Sequence, residues 1–221
     1  MENTGNIIVI DCETGGLLCR KNPITQIALQ SFRLDTLEVI SRYDSFIQPY
    51  NNLLLEDAAM KYTGITLGQL ENGKLIQKVV EDLSIEFTKA NTANSYTKKP
   101  ILVGHNIPFD IGFICYAFNY CKVDISKYLD CKEDAWGNKQ PVYQDTMWLS
   151  RNKWANDPKM TKFNLGACCE KAGIELTDAH AAQNDVTATK SLFIYHLNHL
   201  RSGVSTTQES EESRFRLKFQ F

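Results

Sequence analysis

The run Ile7-Ile8-Val9-Ile10 constrains the fold more than any other stretch of the chain. Four consecutive β-branched aliphatic residues read as a buried strand. A second short apolar run, "PILVGHN" at 100–106, has the same look of a central buried strand. Between them lie two further strand patterns, "ITQIALQSFRLD" (24–35) and "EVISRYDSFIQP" (38–49), joined by a short link. A link that short implies an antiparallel meander, because parallel neighbours need a crossover of about a dozen residues or more.

Helical patterns occupy the intervening and later segments. "LLLEDAAMKYTGIT" (53–66) predicts a short helix ending near Gly64, with Thr66 placed to cap the next one. In that next helix Leu75, Val79, Leu83 and Phe87 recur four apart, with an irregularity near Gly73. Pro108 suits the first turn of a helix running to about Tyr120, with Asn106 as its cap. Residues 142–151 read as a short strand leading into a helix, and a further helix at 163–172 closes at Gly173. Over 180–200, Ala182, Val186, Thr189, Phe193, Leu197 and Leu200 form one core-facing stripe. Residues 121–141 lack clear periodicity and read as an insertion. Strands first as a meander, then strand and helices in alternation, imply an α/β domain with a mixed sheet. The domain is expected to span 1–201, with 202–221 as a C-terminal tail.

A net charge of −2 gives no global basic signature, so any nucleic-acid binding must come from a local site. No run approaches the roughly 18 apolar residues of a membrane helix. The opening MENTGN has no signal-peptide pattern, so a cytoplasmic protein with no membrane association is expected. The seven cysteines include no C-x₂-C pair and read as reduced thiols, with Cys12, Cys115 and Cys168 as small core residues. A structural zinc using Cys121 and Cys131 is the alternative.

The first strand ends in Asp11 and Glu13, followed by Thr14, Gly15 and Gly16. Alternation along a strand puts both carboxylates on one face and Cys12 on the other. Like charges that close repel unless a divalent cation such as Mg²⁺ or Mn²⁺ sits between them. The competing interpretation is a polar turn with both carboxylates solvated. Asp110, at the start of an otherwise apolar helix, needs a partner, and Asp185 adjoins the buried stripe at Val186. His180, five residues before Asp185, titrates near neutrality and suits proton transfer beside an acidic cluster.

The segments DCETGG, HNIPFD and HAAQND resemble, in order and spacing, the three motifs of the DEDDh family of 3′-to-5′ exonucleases, particularly its epsilon-type proofreading members. The resemblance runs from about residue 6 to 200. It implies a ribonuclease H-like α/β fold with a mixed five-stranded sheet flanked by helices. It also implies that Asp11, Glu13, Asp110 and Asp185 bind two Mg²⁺ or Mn²⁺ ions and that His180 is the general base. Thr14, Gly15, His105 and Phe109 match positions that meet the terminal nucleotide, and Gly16 and Leu17 shape its wall. Asp145, in "QDTM", matches a recurrent supporting position. The implied activity releases nucleoside 5′-monophosphates from a 3′ end. Single-stranded DNA in proofreading or repair is the expected substrate, and RNA 3′-end trimming or a non-catalytic binding scaffold the alternatives.

Aromatic residues Trp136, Tyr143, Trp148 and Trp154 and the cations Lys132, Lys139, Arg151 and Lys153 are candidates to stack on bases or meet phosphates. In the tail, Phe215, Leu217, Phe219 and Phe221 alternate with polar residues, a strand-like pattern. It suits completion of the fold or docking on a DNA polymerase or clamp.

Overall fold

The structure is a computed structural model that describes residues 6–91, 99–133, 137, 139–176 and 181–205. His180, Trp136 and the tail pattern therefore lie outside the described residues. Three strands, β1 (Ile7–Thr14), β2 (Ile24–Phe32) and β3 (Val39–Phe46), form the expected antiparallel meander. On the other side of β1, β4 (Ile101–Gly104) pairs parallel, and β7 (Tyr143–Asp145) pairs parallel with β4. The five-stranded order is β3-β2-β1-β4-β7, the mixed sheet that the residues imply.

The helices are α1 (Asp57–Thr63), α2 (Leu67–Glu71), α3 (Ile76–Ala90), α4 (Pro108–Tyr120), α5 (Thr146–Lys153), α6 (Leu165–Ala172) and α7 (Ala182–Ser205). β1 is the partition between two cores. Ile8, Ile10 and Cys12 face one way, into a core shared with Val79, Leu83 and Phe87 of α3 and Ile111, Ile114 and Phe118 of α4. Ile7 and Val9 face the other way, against Ala182, Val186 and Phe193 of α7. Helices on both sides explain why the strand carries no polar residue before Asp11.

Several helix boundaries are as expected. Gly64 and Gly173 end α1 and α6 in the left-handed conformation, at φ 69° and 70°. Thr66 and Gln69 form a capping box on α2. The long helix expected over 67–90 is instead two. Gly73 and Lys74 leave the helix to pair with the end of β3, where the Lys74 N–H donates to the Phe46 carbonyl at 2.9 Å. A Cβ on Gly73 would lie 2.8 Å from that carbonyl oxygen. Leu75, expected in the core stripe, is 60 % exposed just before α3. Asn106 does not cap α4. It sits at φ 65°, and Ile107 precedes the helix without a side-chain cap.

Within 121–141 the chain makes a 3₁₀ turn (Ile125–Lys127) and a separate hairpin of β5 (Cys131–Glu133) and β6 (Lys139–Pro141). Ile125 and Leu129 nevertheless pack into the larger core. The stripe on α7 holds through Phe193, but Leu200 is 59 % exposed. The cysteines are free thiols, with Cys12 and Cys168 buried and Cys115 half-buried. Cys121 and Cys131 belong to no cluster of three or more ligand-type side chains among the described residues.

Candidate active site

β1 runs through Thr14, so Asp11 and Glu13 are both on the strand and share a face. That face is the one continued from Ile7 and Val9, which packs on α7. Asp185, in the first turn of α7 beside the buried Val186, therefore meets them. One carboxylate oxygen from each of Asp11, Glu13 and Asp185 lies within 4.8 Å of the others.

Asp110 approaches from the other side of the strand. It lies in the first turn of α4 and is 5 % exposed. Its Oδ1 accepts from the Cys12 N–H at 3.0 Å, a bond that pins the helix to β1 between Asp11 and Glu13. Asp110 and Asp185 each open a helix, whose amino-terminal partial positive charge offsets some of the crowded negative charge.

That offset is incomplete. The Asp11 carboxyl is held well above the ordinary range, first by burial and then by the charges of Asp110, Asp185 and Glu13. Burial followed by Asp185 lifts Glu13 to about 7. Asp110 is also raised, chiefly by burial and against the hydrogen bond from Cys12. An all-oxygen, anionic donor set whose members repel one another fits a hard divalent cation such as Mg²⁺ or Mn²⁺.

The loop after β1 is fixed from within. Thr14 Oγ1 donates to the Gly16 carbonyl at 2.7 Å. The Gly15 N–H donates to the Pro23 carbonyl and its own carbonyl accepts from Glu56. A Cβ on Gly15 would lie 2.7 Å from Leu55, and one on Gly16 would lie 2.4 Å from the Asn22 side chain. The need for glycine here thus arises inside the protein. Asn22, not singled out by its type, is the clamp. Fully buried, it accepts from the Leu18 N–H and donates to the Leu54 carbonyl and Glu56 Oε1, each at 3.0 Å. The one signal for it is the Asn22-Pro23 dipeptide, a turn marker.

His105 is similarly committed. Its Nε2 lies 2.8 Å from the Phe163 carbonyl, which can only accept, so that nitrogen carries a proton. Burial lowers the pKa of the ring, and Nδ1 lies 2.9 Å from Thr146 Oγ1, a hydroxyl that donates to the Gly104 carbonyl at 3.0 Å. Neither nitrogen is left for a nucleotide. Phe109, half-buried, packs on Phe113 with ring centroids 4.9 Å apart. Asp145 has the supporting role expected of it: its Oδ1 accepts from Asn106 and from Met147, both at 2.9 Å, tying the turn before α4 to the start of α5. Of the peripheral aromatics, Trp154 is core, packed with Cys168 and Leu192. Trp148 is 57 % exposed beneath Arg151, and Tyr143 is 41 % exposed.

Residues 8–193 match the family model RNase_T, described as an exonuclease. The chain belongs to the RNase_T exonuclease family. The resemblance carried by the three acidic motifs is therefore borne out at family level. Among curated proteins it is 30 % identical over 189 residues to the PolC-type DNA polymerase III of Streptococcus pneumoniae, a match covering 85 % of this chain and 11 % of the polymerase. The PolC-type enzyme of Lactococcus lactis is 31 % identical over 195 residues, covering 88 % and 10 %. The chain thus spans about a tenth of the length of these relatives. Its fold is that of Escherichia coli Exonuclease I, solved in complex with a dT13 oligonucleotide, with a TM-score of 0.70 at 20 % identity over 91 % of this chain and 42 % of that one. No helix among the described residues is long and apolar enough to cross a membrane.

Proposed function

We propose that this family member is a metal-dependent 3′-to-5′ exonuclease acting on single-stranded DNA. The observation that carries the proposal is the convergence of Asp11, Glu13 and Asp185 within 4.8 Å, on a chain matched to an exonuclease family over residues 8–193. DNA is favoured over RNA because the similar PolC-type proteins are named as DNA polymerases.

Asp11, Glu13, Asp110 and Asp185 would hold two Mg²⁺ or Mn²⁺ ions. Bound there, the cations would supply Lewis-acid activation of the attacking water and stabilisation of the leaving 3′-oxygen. The chain's own contribution is positional. The Cys12–Asp110 hydrogen bond and the Asn22 clamp fix the edge of β1 and the loop beyond it, where Thr14, Gly15 and Phe109 would border the terminal nucleotide. His105 would act through Thr146 and Phe163, holding the turn that precedes Phe109. His180 is assigned to take the proton of the attacking water, a role typically contributing about 10² to 10⁴ in rate.

The test is degradation of 5′-labelled single-stranded DNA and RNA with Mg²⁺ or Mn²⁺. Shortening from the 3′ end is expected, abolished by EDTA and by Asp11→Ala, with DNA the faster substrate. Activity that persists in EDTA or in Asp11→Ala sinks the mechanism, and faster RNA trimming reverses the substrate assignment. His180→Ala should lower kcat and remove a neutral-range ionisation from the pH profile. An unchanged profile removes His180 from the proton step.

A further inference from the structure

A cleft of about 630 Å³ opens between α4, the loop after β1 and the β5–β6 hairpin. That volume lies within the range of about 300–1,000 Å³ typical of small-molecule sites. Gly112, Cys115, Tyr116 and Asn119 form one wall, and Cys19 and Arg20 form another. On a helix, Phe109, Gly112, Tyr116 and Asn119 share one face. Phe109 opens this face one residue before Asp110, so the wall begins in the helical turn that carries that carboxylate.

Two independent features indicate what the cleft accommodates. The first is charge. Arg20, Lys122 and Lys139 line it against the single carboxylate of Asp124. Lys139 is tied to Asp124 at 3.0 Å, but Arg20 and Lys122 enter no ion pair among the described residues. On a chain of net charge −2, this is a local excess of positive charge. The second is Gly112, inside α4. A Cβ there would meet only Cys19 Sγ, at an unstrained 3.8 Å. Glycine in a helix interior is unfavourable, and no packing within the protein requires it at this position. Its lack of a side chain keeps the α4 wall of the cleft bare at this turn.

The geometry points to a subsite for the 5′-ward part of the nucleic acid strand whose 3′ end occupies the carboxylate cluster. This inference rests on the exonuclease assignment. From Phe109 to Asn119 the helix rises about 15 Å, the length of about four stacked nucleotides at roughly 3.4 Å each. Arg20 and Lys122 would then meet phosphates a few nucleotides from the scissile bond, with Tyr116 and Asn119 beside the bases. Phosphates are common to DNA and RNA, so the subsite should serve either strand.

The test compares Arg20→Glu/Lys122→Glu and, separately, Gly112→Leu with wild type. The substrates are the p-nitrophenyl ester of thymidine 5′-monophosphate, too short to reach the cleft, and twelve-nucleotide oligothymidylate and oligouridylate. The charge variant should raise KM for cleavable oligomers about tenfold or more and flatten the salt dependence of log KM by about 1.4, two contacts at about 0.7 each. Gly112→Leu should raise oligomer KM while Gly112→Ala, which fits the space, does not. Ester turnover should stay within about twofold of wild type, showing that the variants fold. Unchanged oligomer KM with intact ester turnover overturns the subsite, as does an equal loss on ester and oligomers. Wild-type failure on every substrate instead overturns the exonuclease assignment, and the cleft with it.

Discussion

At the scale of single residues, the site gives up stability for charge. Asp11, Glu13 and Asp110 all hold their protons more tightly than ordinary carboxyls because burial and one another's charge disfavour ionisation. Asp11→Asn keeps the shape and removes one charge. In EDTA at pH 8 it should melt higher than wild type, by about 2–4 °C per kcal/mol of repulsion relieved. Changes beside a metal's ligands cost about 10–100-fold in affinity or activity, so loss of a ligand should cost exonuclease activity at least about a hundredfold. Calorimetry in EDTA and a 3′-end assay check the two together, and a lowered melting temperature with retained activity contradicts the assignment. Gly16 gives a second prediction. Its absent Cβ would overlap the Asn22 amide, which is buried and already bonded to Leu18, Leu54 and Glu56. Gly16→Ala should cost about 1–3 kcal/mol and reduce turnover, both read against wild type by denaturant melts and kcat.

At the scale of elements, periodicity revealed faces but not second faces. The stripe Ala182, Val186, Thr189 and Phe193 on α7 is legible because one side of the helix lies on the sheet. Leu192 and His196 escape it because α7 has a second contact, against Trp154, Cys168 and Ser150 of the α5–α6 layer. Leu200 fails for the opposite reason, since it is 59 % exposed, beyond the last residues packed on the sheet. The break between α2 and α3 was marked by Gly73, but its cause, pairing with β3, is a tertiary contact that no local pattern encodes. Asp11, Glu13 and Asp110 were legible because each follows a buried strand, and Asp185 because it adjoins the apolar stripe at Val186. The Asn22 clamp and the committed ring of His105 were not, since both depend on partners distant in sequence. Phe193→Ala, removing a 3 % exposed ring between sheet and helix, should destabilise by about 3–5 kcal/mol. It should also weaken catalysis more than its distance implies, because the same helix carries Asp185. Stability loss with unchanged kcat would show that Asp185 is positioned independently of this packing.

At the scale of the whole molecule, the titrating groups set how stability and cation binding depend on pH. Buried His196, bonded to Ser150 at 2.9 Å, has its pKa lowered to about 4, mainly by burial. A histidine neutral in the fold contributes stability above its unfolded value of about 6.5, and that stability is lost as pH falls toward 4. The crowded carboxyls have the opposite sign. Glu13, at about 7, and the raised Asp11 and Asp110 bind protons more tightly folded than unfolded. Their contribution is full below about pH 4 and is lost as pH rises through 7 and beyond. Between pH 4 and 6.5 the two effects oppose each other, whereas above 6.5 only the carboxyls act. Three raised carboxyls outweigh one lowered histidine, so without divalent cations the melting temperature should fall from about pH 5 to pH 8, more steeply above 6.5. Mg²⁺ or Mn²⁺ competes with those protons, so it should raise the melting temperature little at pH 5 and most at pH 8, flattening the alkaline limb. Melting curves from pH 4 to 9, with EDTA and with Mg²⁺, decide the matter. A metal-induced gain that is equal at pH 5 and pH 8 would place the cation away from Asp11, Glu13 and Asp110, because those carboxyls cannot bind it without first losing their protons.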